Sequence, residues 1–146
     1  MTDELQPIAY PGFTNALKSL AGGNWDFDPA PLAARKLVAV EVSDDKETLT
    51  FRFADGFVSY AVEGDCCSHS WIEHLTVPPD IAGSEITAWS ERDMGEKVAE
   101  EDYETIKVYE TSFRTPKGDI VVEYRNSSNG YYGGWIRGPV AKEGAA

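Results

Sequence analysis

From Lys36 onward, apolar and polar residues alternate with a period of two, the spacing of a strand that buries one face. In "KLVAVEVS", Val38, Val40 and Val42 share a side. In "ETLTFRFA", Leu49, Phe51 and Phe53 share a side, with Thr48, Thr50 and Arg52 opposite. Asp55-Gly56 is a two-residue hairpin signal. "FVSYAVEG" returns from it with Val58, Tyr60 and Val62 set against Ser59, Ala61 and Glu63. The spacing predicts three consecutive antiparallel strands, joined first by a polar, exposed turn around Ser43–Lys46.

Beyond residue 78 the pattern is less regular. "GSEITAWSERD" predicts a strand with Ile86 and Ala88 inward. "MGEKVAEEDYE" predicts a charged, mobile connection or a weak helix. In residues 103–116, Ile106 and Val108 mark one face and Tyr109, Thr111 and Phe113 the other, which requires burial on both sides or a bulge near Glu110. After a turn at Pro116–Asp119, "IVVEYR" aligns Ile120, Val122 and Tyr124. Asn129-Gly130 signals a second hairpin, with "YYGGWIR" as its return strand.

About seven antiparallel strands with little helix predict a mainly β fold, closed as a small barrel or folded as a two-layer sandwich. Residues 1–36 are expected to form an N-terminal extension. In it Phe13, Leu17 and Leu20 follow helical spacing, Gly22-Gly23 ends the helix, and Trp25 and Phe27 pin a loop to the core. The β domain is expected over 37–138 and a frayed tail over 139–146.

The 146 residues suit one domain with a real core. No apolar run approaches the roughly 20 residues of a membrane span, and the start lacks a basic segment followed by an apolar one. The expected location is the cytoplasm, with the two cysteines as thiols. A net charge of −12 speaks against direct binding of nucleic acid or of anionic membrane. The acids are concentrated: from Glu85 to Glu110, nine acidic residues stand against three basic ones, a balance of −6.

Candidate chemistry gathers in "GDCCSHSWIEH", Gly64 to His74, which holds both cysteines and both histidines. Cys66, Cys67, His69 and His74 are zinc-ligand types, and Cys66 to His69 is an acceptable ligand spacing. Neither a helix nor a strand brings all four to one side, and no second ligand pair occurs elsewhere. Cys66 or Cys67, with a histidine and with Asp65 or Glu73, supplies the residue types of a nucleophile pair, without the local signature of a cysteine hydrolase. The blander reading has the chain leave a strand here for a short turn or helix. The cysteines are then core, Asp65 caps the turn, Trp71, Ile72 and Leu75 pack underneath, and His69 and His74 are exposed. A second unusual stretch, "SSNGYYGGW" (127–135), offers aromatics that either stack on a ligand or pack across a hairpin.

Together these two stretches resemble a family of small phage and bacterial proteins, DUF7448, over about residues 37–136. Asp65, Cys66, Cys67, Ile72 and Glu73 match one motif; Ser128, Asn129, Gly130, Tyr131 and Tyr132 match the other. The resemblance implies a phage or prophage origin and no particular activity. The family pattern does not call for histidine at 69 or 74, which weakens the zinc and Cys–His readings. It places any shared site at Asp65, Cys66, Cys67, Glu73, Asn129, Tyr131 and Tyr132, provided that the two motifs meet in space. The expected function is a non-enzymatic accessory protein that needs no cofactor and binds a host or phage protein through its acidic surface. The alternative is a small-molecule or metal-binding domain centred on residues 65–74 and 128–132.

Overall fold

The computed structural model of the chain describes residues 6–7, 27–65, 68–98, 105–128 and 133–144. In chain order the strands are β1 (Gln6–Pro7), β2 (Leu37–Val42), β3 (Thr48–Phe53), β4 (Gly56–Gly64), β5 (His69–Thr76), β6 (Ala88–Val98), β7 (Thr105–Thr115), β8 (Gly118–Ser128) and β9 (Gly134–Glu143). They build two antiparallel sheets, ordered β1-β6-β7-β8-β5 and β2-β3-β4-β9. The sheets are packed layers, not a closed barrel, and the chain crosses between them from β4 to β5 and from β8 to β9. The helix expected over Phe13–Leu20 lies outside the described residues, as does Trp25. Among the described residues the helical element is one 3-10 turn, Ala30–Leu32, and no helix is long and apolar enough to cross a membrane.

The period-two rows form the core. Leu49, Phe51 and Phe53 face Val58, Tyr60 and Val62 within the smaller sheet, and Ile120, Val122 and Tyr124 line the larger one, all buried. Aromatic rings join the layers: Phe51 of β3 meets Phe113 of β7 edge-on at 5.0 Å. Phe27 lies 5.0 Å from Tyr60 and 4.9 Å from Trp89, so it touches both sheets. Such tilted and edge-on pairs match the ring quadrupoles. Residues 27–36, assigned by the sequence pattern to the extension, are thus built into the domain. Leu32 is fully buried, and Arg35 is buried against the Phe53 ring while pairing with Asp55.

Several local expectations are corrected, mostly by bulges. A register shift between Leu37 and Ala39 turns Leu37 inward and leaves Val38 exposed. Trp89, paired with Phe113, takes the inward place expected for Ala88. Of the charged run, 94–98 continues β6 as a strand. It pairs with β7 from Thr105 to Val108, and the ladder absorbs a bulge between Asp93 and Gly95. Gly95 has φ +97, and its N–H is accepted by the Asp93 carboxylate. β1 covers β6 only at Ala88 and Trp89; beyond them this stretch has no outer partner among the described residues, and its charge and bulge discourage further pairing. β7 itself carries no bulge; its register with β8 is unbroken, and Val108 is buried on the outer face. Residues 139–143, expected to fray, extend β9, with Ala141, Lys142 and Glu143 opposite Ser59, Val58 and Phe57.

Phe27→Ala is expected to cost about 3–5 kcal/mol, the usual price of emptying a fully buried aromatic site, as read from urea denaturation. A loss below about 1 kcal/mol would show that residues 27–36 are dispensable to the core.

Candidate functional site

The residues picked from the sequence divide into two groups. Cys66, Cys67, Asn129, Tyr131 and Tyr132 lie outside the described residues. Their flanks are described, and they meet. Gly64 pairs with Gly134, the Asp65 N–H points to the Gly133 carbonyl at 3.4 Å, and His69 pairs with Ser127. The two motif segments therefore leave and rejoin the sheets side by side.

His69–Thr76 is a strand, not a helix or turn, and a register shift between Ile72 and His74 resets its alternation. Ile72 is buried and Leu75 half-buried against the core. Both histidines are exposed; His69 stacks on Trp71 with ring centroids 5.6 Å apart. Asp65 closes its turn through its main-chain carbonyl, which accepts from both the N–H and the hydroxyl of Ser68. The Trp71 indole N–H donates to Glu73 Oε1 at 2.8 Å, which holds the Glu73 carboxyl below its usual pKa. Among the described residues, no three His, Cys, Asp or Glu side chains gather as metal ligands.

The crossing between the sheets is held by residues that the motifs do not contain. Ser70 Oγ donates to the Glu63 carbonyl and Ser68 Oγ to the Asp65 carbonyl. A hydroxyl has one proton, so each serine oxygen is left as an acceptor. The Asn126 amide nitrogen fills both, at 3.1 Å to Ser68 and 2.9 Å to Ser70. This fixes the orientation of the amide and ties β8 to the β4–β5 crossing. Asn126 is fully buried, and its Oδ1 has no partner among the described residues, an uncommon cost. Opposite it, Gly64 and Gly134 leave no room for even a methyl group. A Cβ at Gly64 would strike the Asn126 amide nitrogen and Ser68 Oγ, and one at Gly134 would strike Ser70 Oγ. The joint is solid.

One layer deeper lies a second polar group. Tyr124 and Thr111 both donate to Glu91 Oε2, at 2.9 and 3.1 Å. Tyr109 stacks on Tyr124 at 5.1 Å and accepts the Gly134 N–H at 3.3 Å. Desolvation raises the Glu91 pKa despite these two donors. Sequence reasoning missed Ser70, Asn126 and Glu91. One signal was available for Asn126: it continues the inward parity of Ile120, Val122 and Tyr124, an amide in a core row.

The topology also gathers charge. Val98 pairs with Thr105 and Thr105 with Ser128, so the 98–105 connection leaves the same end of the sandwich as the motif segments. The acids Glu100, Glu101, Asp102 and Glu104 belong to that connection. The Ser43–Glu47 turn lies at this end too, through Val62 N–H to the Glu47 carbonyl. At the far end Asp55 pairs with Arg35, Glu85 with Lys36 and Asp119 with Arg114, while Asp80 and Glu143 are exposed without a basic partner among the described residues. At the motif end, Asp44, Glu47, Asp65 and Glu96 are exposed and have no basic partner among the described residues.

A family model described as "Domain of unknown function (DUF7448)" matches residues 31–137, the span that holds both motifs and the joint. No curated protein and no solved structure matches the chain.

Asn126→Ala removes both bonds of the amide and is expected to cost about 1–3 kcal/mol. In a double-mutant cycle with Ser70→Ala, the two losses should fall short of additive, because they share one bond; strict additivity would dissolve the joint as a unit. Glu91 supplies a pH dependence of defined sign. Its folded pKa lies above the unfolded value, so its burial costs nothing below the unfolded pKa, that of an ordinary glutamate. The cost grows as pH rises toward the folded pKa and is constant above it. Urea denaturation across this range should show the wild type losing stability relative to Glu91→Gln. A relative gain would mean that the two hydroxyl donors outweigh desolvation.

Proposed function

The chain belongs to the DUF7448 family, and from that membership and the geometry of the joint we propose that it is a non-enzymatic, phage-type accessory protein that docks a host protein on its acidic end. The carrying observation is convergence: both family motifs and the acidic 98–105 connection are anchored on adjacent strand ends. A small-molecule site between the sheets is disfavoured there, because Gly64 and Gly134 already touch Asn126, Ser68 and Ser70. What the fold provides instead is a rigid base from which several inter-strand connections leave side by side, an arrangement suited to recognition on a scaffold. Unpaired acids at that end favour a basic partner surface and speed its approach.

A photo-cross-linking amino acid at Glu47, exposed in the β2–β3 turn at the motif end, compared with one at Lys117 on the far end, tests the reading in host lysate. The expected result is a discrete adduct from position 47 alone, weakened by high salt and lost when Asp93, Glu96, Glu100 and Glu101 are changed to lysine. Equal adducts from both positions, or an adduct indifferent to charge reversal, would refute docking at this end.

A further inference from the structure

Beside the joint, an open groove of about 360 Å³ separates the β2–β3 turn from β5, lined by Val42, Ser43, Asp44, Lys46, Ile72, Glu73 and Leu75. We propose that it takes a lysine or arginine side chain of the docked protein, its aliphatic stem on Val42, Ile72 and Leu75 and its cationic head against Glu73 and Asp44. The inference rests on the docking reading above and names the chemistry that would be recognised there.

Three features support it. First, the groove is preformed. The Lys46 carbonyl accepts the Ile72 N–H at 2.7 Å, which pins the turn onto β5. The turn is itself closed by Ser43, whose oxygen accepts the Thr48 N–H and whose hydroxyl donates to Asp45. Binding therefore orders little that is loose. Second, the floor is apolar for a structural reason. The β5 bulge between Ile72 and His74 puts both Ile72 and Leu75 on the core side, where strict alternation would send Leu75 outward. Val42 closes the floor from the other sheet, half-buried. Long basic side chains lie along such surfaces with their heads in water.

Third, the rim is anionic and oriented. The Trp71 indole takes one oxygen of Glu73 and keeps the carboxyl ionised, leaving the other oxygen for a guest. Asp44 is exposed beside it. Arg125, His74 and Lys46 already act on Glu73, yet an anionic guest is repelled and a cationic head attracted by a chain of net charge −12. The one cation of the lining, Lys46, is held in the left-handed region at φ +65. Glycine adopts that conformation without strain, so Lys46→Gly removes the competing charge while keeping the turn.

Titration of the full-length protein with N-acetyl-argininamide, followed by methyl and amide NMR, tests the groove directly. The uncharged isostere N-acetyl-citrullinamide is the control. The expected result is saturable shifts at Val42, Ile72 and Leu75 with arginine, about fivefold weaker with citrulline or in Glu73→Gln, and stronger in Lys46→Gly. Equal responses to arginine and citrulline, shifts elsewhere on the molecule, or no saturation by about 50 mM would overturn the proposal. The titration needs no partner, so the two readings fail separately. A silent groove with the adduct at position 47 intact removes only the groove. A cation-selective groove without any adduct removes the docked protein as its occupant.

Discussion

The fold depends on how the chain passes from one sheet to the other, and that passage is held by one amide. Asn126 bridges two serine oxygens whose protons are already given to the Glu63 and Asp65 carbonyls. The bridge fixes β4, β5 and β8 at a point where no apolar side chain fits. Buried polar bonding of this kind contributes modestly to net stability but heavily to uniqueness, because any other register leaves its members unsatisfied. The facing glycines follow from it: the polar side chains fill the space that a β-carbon at residue 64 or 134 would need. The family motifs begin and end at this joint, so part of their residue choice is set by close approach.

Much of the strand content was legible because it obeys period two. Leu49 to Phe53, Val58 to Val62 and Ile120 to Tyr124 alternate cleanly, and each row is buried as its parity requires. What escaped was whatever broke parity. The bulge after Leu37 exposes Val38, and the bulge before Gly95 lets a charged segment remain a strand. Pairing with β8 makes the expected turn or helix an edge strand of the large sheet, and a bulge between Ile72 and His74 hides its alternation. None of these has a strong local signature, since a bulge is decided by the partner strand. The 139–143 extension was missed likewise: small residues such as Ala141 carry no periodic signal, yet they find the open side of β4.

The candidate site was legible in outline and not in substance. The sequence marked residues 64–74 and 127–135 as unusual, and their described flanks are neighbours in space. The residues that hold those flanks together, Ser70 and Asn126, look like ordinary strand polars until their partners are known. Glu91 is similar. As one acid among many in a charged run it carries no distinction, yet its carboxylate faces two buried hydroxyls while its neighbour Arg92 pairs with Glu110 on the other face.

The distribution of charge completes the physical case. A chain of net charge −12 repels itself, and pairing relieves part of that repulsion. The far end does so with Arg35, Lys36 and Arg114. The motif end gathers Asp44 and Glu47 from the β2–β3 turn, Asp65 from the β4–β5 crossing and Glu96 from β6, and gives them no such partner among the described residues. Exposed ion pairs add little stability, so their absence at one end is not by itself a defect. The asymmetry is nevertheless costly at low ionic strength, where like charges at one end act over roughly 10 Å or more. Nothing in the packing of that end requires acids: its rigidity comes from glycines, serines and an amide, all neutral. Under the docking proposal, a basic protein surface is the chemistry that compensates the gathered charge more locally than dissolved counter-ions do.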